Sequence, residues 1–468
     1  MNIYLSKILQ SIMRHEDKLI LSATTITAFL TPFMGSSINL AIPEIGAEFS
    51  GSVVLLSWIV SAYLLTSALF IVPIGRYADM RGRWRIFECG SLFFALSAFI
   101  CMLAPSIQIL ILGRIIQGIA GAMIYATSIA IIAVHIQREH RGYALGINVA
   151  CVYLGTTLGP FLGGTLTECF GWRSIFLFTI IIATIALINT LHVAKGIREE
   201  KGTEKYDTCG AIIYAAMILA AMLAVSTESR ASIPLFIAAA ILFAVFYVYE
   251  LRHDNPVFQI RLFKGNKRFT YANLAALINY SSTFAIGFFF SIYLQTVRGF
   301  DPMISGMLLI SQPLFQMIFS VYVGKLSDRY DSGMLAAFGM GLITVSLSTF
   351  IFITADTPIW MPMIALCFTG IGYGCFSAPN THTVMDSVED RSSGVASGVL
   401  STMRVSGMMI SMALASLVFS IGVGSAVLAD ADRGALVSSI NLGFTLFLFL
   451  GIIGTCASLA AYKSRKRV

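Results

Sequence analysis

Two arginines, Arg114 and Arg404, lie deep inside long apolar blocks of this 468-residue chain, and none of its 24 acidic residues does. An ionisable side chain held that far from water marks a functional site by default. A guanidinium presents its donors as a rigid fork that suits a carboxylate or phosphate in bidentate fashion. A carboxylate at the same depth would instead attract a cation and titrate when a proton competes. Here Glu44, Glu48, Glu168, Glu228 and Asp301 are at or beyond one set of block ends, and Asp79, Glu88, Glu250 and Asp386 are at the other. A cavity enclosed by these blocks would carry positive charge at depth and prefer neutral or anionic substrates.

The blocks themselves must be membrane helices. With 57% hydrophobic residues, 12% charged residues and a mean hydropathy of +0.82, the chain has more apolar surface than a soluble domain can hide. Within lipid each block has to satisfy its own backbone groups, which selects the helix. Fourteen spans are expected, near 18–42, 53–74, 86–104, 107–133, 143–166, 174–194, 209–227, 232–251, 270–296, 303–325, 334–354, 358–383, 394–420 and 438–461. Only Arg173, Arg230, Arg298 and Arg433 fall in the loops of one side, and the remaining non-buried Lys and Arg fall on the other. The positive-inside rule then places both termini in the cytoplasm and the protein as a multi-pass component of the cell membrane. The basic tail Lys463 to Arg467 fits that inner face. The net charge of +7 is accounted for by these loops, so no nucleic-acid partner is expected. The eight cysteines have no metal-ligand spacing and read as small packing residues, with no cofactor or metal implied. The first span is too long for the core of a signal peptide.

Two longer cytoplasmic connections, Lys195 to Asp207 and Arg252 to Arg268, divide the chain into a six-span bundle (1–200), a two-span insert (201–268) and a second six-span bundle (269–468). An internal repeat supports the division. Gly75, Asp79, Arg81, Gly82 and Arg83 follow span two, while Gly324, Asp328 and Arg329 follow span ten. An aspartate in this loop can meet the positive N-terminal end of a helix in the opposite half, near Gly394, and hold an inner gate shut. An ordinary basic loop explains the arginines, but not the repeated Gly and Asp spacing.

Span four contains Arg114, Gln117, Gly118 and Gly121. Arg114 lies about 10 Å down the helix, where it would snorkel outward or bond carbonyls on span one. In span five Gly146, Gly155, Gly159, Pro160, Gly163 and Gly164 form a glycine-rich pattern whose small residues permit close helix approach. Taken together these motifs resemble the major facilitator superfamily, over nearly the whole chain. The span-five pattern is similar to that of its exporters, and fourteen spans resemble the drug:proton antiporter branch. Ser37 to Pro43, Trp58, Ala62 to Leu64 and Gly171 to Phe176 fit as well. The resemblance implies an all-α polytopic fold of two six-helix bundles plus two helices. It also implies alternating access about a midplane site, proton transfer associated with Arg114 and Gln117, and no enzymatic chemistry. One departure matters: Met34 stands where cation exporters of this branch often carry an aspartate.

Arg404, near the middle of span thirteen, either faces the cavity as an anion partner or ties carbonyls between helices. Asn39, Gln117, Tyr125, Asn273, Asn279, Tyr280, Gln312, Gln316, Tyr373, Ser377 and Asn380 are further candidates for the cavity wall, though each taken singly fits an inter-helix hydrogen bond better than a ligand contact. The expectation is a monomeric exporter of small amphiphilic molecules, drug-like compounds or metabolites, in exchange for protons carried through Glu44 or Asp79. The alternatives are a uniporter or a porter of anionic or lipid-like substrates using Arg404, and, from another class, a non-transporting membrane receptor.

Overall fold

A computed structural model describes residues 15–194, 206–226, 232–253, 256–327, 329–389, 393–424 and 426–464. Asp328, Arg230, Arg391 and the basic tail beyond Ser464 lie outside them. The described residues are helical almost throughout. Spans one to six are His15–Phe49, Val53–Arg81, Arg83–Met102, Ile107–His135, Arg138–Phe170 and Arg173–Ala194. Spans seven and eight are Thr208–Ser226 and Ser232–Arg252. Spans eleven to fourteen are Ser332–Phe350, Trp360–Met385, Ser393–Val423 and Arg433–Lys463. Among the described residues thirteen helices are long and apolar enough to cross a membrane, and span seven is a shorter apolar helix. The face bearing the His15 and Lys463 ends is called the terminal face below, and the opposite one the far face.

Spans nine and ten are interrupted. Span nine is helical over Lys267–Thr283 and Ile286–Ile292 and ends in a wide turn over Tyr293–Val297. The backbone N–H of Ala285 at the break is taken up by Ser411 Oγ of span thirteen at 3.0 Å. Span ten runs as Pro302–Leu309 and Ser311–Leu326, with Pro313 just past the break. Proline has no N–H to give to the preceding turn, so the helix opens there.

Within the first half, span one packs on spans five and six, and span four on spans two and three; within the second, span twelve packs on ten and eleven, and fourteen on nine and eleven. Span seven touches both span two and span thirteen, so the insert straddles the seam between the halves. Two tyrosine hydroxyls pin it there: Tyr206 donates to the Pro73 carbonyl at 3.2 Å and Tyr214 to the Ala68 carbonyl at 3.0 Å. Span eight buries only Phe246 and Glu250, and its remaining apolar side chains face outward as lipid contact demands.

Candidate functional site

A cavity of about 390 Å³ lies between the halves, walled by spans one, two, four, five, nine, ten, twelve and thirteen. That is within the range of small-molecule sites. Its polar groups come from side chains spaced three or four residues apart on single helices, which therefore share a face. Span five contributes Asn148, Val152, Tyr153, Thr156 and Pro160, and span one contributes Thr31, Gly35, Ser36 and Asn39.

Contacts between the halves close the cavity on the far side. Ser291 donates to the Asn39 carbonyl at 2.5 Å, and Gln295 donates to the Leu40 carbonyl at 3.1 Å. Farther out, the Leu428 N–H reaches the Gly51 carbonyl at 3.1 Å. Toward the terminal face the walls part: Ile129 and Val149 line the cavity while 48% and 47% exposed.

The two deep arginines have different surroundings. Arg114 is fully buried in the first half; its Nε donates to the Ile59 carbonyl at 3.0 Å and its Nη1 to Gln117 Oε1 at 2.5 Å. Its guanidinium lies 4.6 Å from the Tyr63 ring centroid. The expectation of carbonyls on span one is thereby corrected to span two. The cause is a close approach at Gly118, where a Cβ would run into the Tyr63 carbonyl oxygen. Gln117 serves this arginine and does not line the cavity. Arg404 does line it. One edge donates to Thr381 Oγ1 at 2.6 Å, the group stands 5.9 Å from the Tyr280 ring centroid, and Nε has no hydrogen-bond partner. No Asp, Glu, Lys or His lines the cavity, so Arg404 is its one charged group among the described residues.

The glycines of span five divide their work. A Cβ at Gly155 would strike the Phe29 carbonyl oxygen, one at Gly159 the Ser36 hydroxyl, and one at Gly163 would sit 2.7 Å from Ser37 Cα, all on span one. Gly164 faces the other half, where a Cβ would strike the Pro302 carbonyl oxygen; reciprocally, one at Gly306 would strike that of Pro160. Nothing approaches Gly146 within 4 Å.

Between spans two and three, Gly82 adopts φ 108°, a conformation that disfavours any side chain. Asp79 accepts from Arg83 Nε at 2.7 Å within this same connection, and both are partly exposed. Gly75 packs beside Ala126, while Arg81 and Arg329 are exposed. Glu44 is at the far end of span one near Gly171, outside the cavity. Its neighbour Glu48 holds Arg173 in a two-point pair at 2.6 and 2.7 Å and accepts from Trp172 Nε1 at 2.7 Å.

Of the other expected cavity groups, Asn39, Tyr125, Tyr280, Gln312, Gln316, Tyr373 and Ser377 line it. Asn279 points to Met340 Sδ at 3.2 Å, Asn273 bonds its own helix, and Asn380 is buried elsewhere. Sequence reading missed Tyr153 and Asn148, whose place on the Val152–Thr156–Pro160 face was the available signal.

A sequence profile described as Major Facilitator Superfamily matches residues 24–412. The riboflavin transporter RibZ of Clostridioides difficile is 28% identical over 82% of this chain and 84% of its own length. The multidrug resistance protein Stp of Mycobacterium tuberculosis is 29% identical over 85% of this chain and 75% of its own. The methylenomycin A resistance protein of Streptomyces coelicolor is 27% identical over 91% and 90%. Among solved structures, a bacterial homologue of the human lysosomal transporter Spinster, inward-facing and unoccupied, matches with a TM-score of 0.69 at 16% identity. It covers 97% of this chain and 99% of that one, and bears on the fold alone.

Proposed function

The chain belongs to the Major Facilitator Superfamily, and we propose that it exports small amphiphilic molecules across the cell membrane by alternating access, in exchange for protons. The observation that carries this reading is the central cavity, sealed on the far side by bonds between the halves and open toward the terminal face. With the terminal face cytoplasmic, as the loop arginines and lysines require, this is the loading state of an exporter. Rocking the halves about spans five and ten would break the Asn39–Ser291 and Leu40–Gln295 bonds and bring the Asp79 and Arg329 loops toward the opposite half. In this state Asp79 is held by Arg83 and released from that duty. Relatives named for riboflavin, multiple drugs and methylenomycin A support a small organic substrate.

Proton exchange rests on the resemblance to antiporters and on the glycine pattern of span five. Among the described residues the cavity offers no carboxylate, so Glu44 and Asp79 are the carriers proposed. Everted vesicles containing the protein should accumulate substrate when an inward-acid pH gradient is applied. Uptake that ignores collapse of the gradient would rule out antiport and leave a uniporter. A second reading, a porter of anionic or lipid-like substrates, is favoured by Arg404 alone among charged groups in the wall.

A further inference from the structure

Five tyrosines from five different spans converge on the cavity: Tyr63, Tyr125, Tyr153, Tyr280 and Tyr373. The chain has 17 Tyr and 34 Phe, yet among the described residues Phe284 is the one phenylalanine in the wall. Lipid contact and packing would draw on both residue types, so this wall selects aromatic rings with a polar edge. Such rings add little conformational freedom to be lost on binding, and each presents a π-face together with a hydroxyl.

The arrangement distinguishes among aromatic ligands. Tyr280 and Tyr373 meet edge to face, with centroids 5.4 Å apart and planes at 86°. The Arg404 guanidinium lies beside Tyr280, with its buried Nε free of a partner. Across the cavity Tyr63 is backed by Arg114. A cage of tyrosines ordinarily suits a ligand cation. Here Tyr63 and Tyr280 each already have a guanidinium at a ring, and no carboxylate neutralises the one that reaches the cavity. A second positive charge would meet repulsion from that guanidinium at short range.

We infer that the cavity binds planar, conjugated organic anions, with the ring system held against the tyrosines and the acidic group on Arg404. This rests on the reading that the cavity holds the transported substrate, and narrows it to one chemical class. Ring–ring contact fixes the plane of the ligand, while the guanidinium fixes which end points toward span thirteen. Neither group suffices alone: an aliphatic acid forfeits the stacking, and a flat cation meets the wrong charge.

Three probes of similar bulk separate these contributions: anthracene-9-carboxylate, adamantane-1-carboxylate, and anthracen-9-ylmethylammonium. Binding to the purified protein in detergent should favour the first over each of the others by about tenfold or more. Arg404→Gln should remove the preference between the two anthracene probes and keep that for anthracene over adamantane. Tyr280→Leu combined with Tyr373→Leu should do the reverse. Should either set of variants fail to elute as a folded protein, the ranking on the unaltered chain decides. Equal binding of the ammonium and carboxylate probes, or of the two carboxylates, overturns the inference. Flux in proteoliposomes keeps this apart from the transport reading. The expected ranking without flux would remove transport and keep the site, whereas ethidium flux without anthracene-carboxylate binding would do the opposite.

Discussion

Arg114 and Arg404 both lie within long apolar helices, one in each half, and their surroundings assign them to different work. Arg114 is enclosed: a carbonyl of span two, the amide of Gln117 and the face of Tyr63 engage the guanidinium. Arg404 is tied at one edge to Thr381 and shows another to the cavity. The first holds spans two and four together behind a cavity wall, and the second supplies the wall with charge. Depth in the bilayer thus identifies a residue that needs an explanation, but its neighbours decide which explanation applies.

The sharpest way to break this comparison is to treat both arginines alike. Arg114→Met should strip two buried acceptors of their donor, at about 1–3 kcal/mol each, and lower the yield and thermal midpoint of the detergent-solubilised protein. Arg404→Gln should reduce transport at least tenfold in vesicles while the midpoint stays within a few degrees. An Arg114 variant that folds normally would erase the distinction. A smaller effect is expected from Gly164→Val, which would force spans five and ten apart; overpacking of this kind costs about 1–3 kcal/mol. Its transport should fall more than that of Gly146→Val, made where nothing lies within 4 Å. Asp79→Asn should have the least influence on stability, about 0.5 kcal/mol, because the pair with Arg83 is exposed. If the gate reading holds, its turnover nevertheless drops several-fold, and unchanged turnover would return the loop to an ordinary connection.

Much of the architecture was legible because lipid leaves few options. Length and apolarity gave the helical spans, whose ends differ from those expected by at most seven residues. The glycine pattern of span five also translated directly into close packing. Three features were less accessible. Span nine reads as one uninterrupted apolar block, and its break at Phe284–Ala285 is stabilised by Ser411, more than a hundred residues away. The partner of Arg114 depended on which helix closes on Gly118, a choice that periodicity does not make. Asn279 and Asn380 are polar residues in the right helices but on faces that do not line the cavity, whereas Tyr153 shares the cavity face of span five with Asn148, Val152 and Thr156. What the helices are follows from composition; what each face meets follows from packing between segments distant in sequence.

The interruptions of spans nine and ten have a mechanical consequence. Both lie in the second half, next to the cavity, whereas spans one and two keep continuous helices through their prolines. One side of the molecule is therefore jointed and the other stiff. Strain introduced by an occupant will collect at those joints, so that the second half flexes around its load while the first acts as the anvil against which it bends.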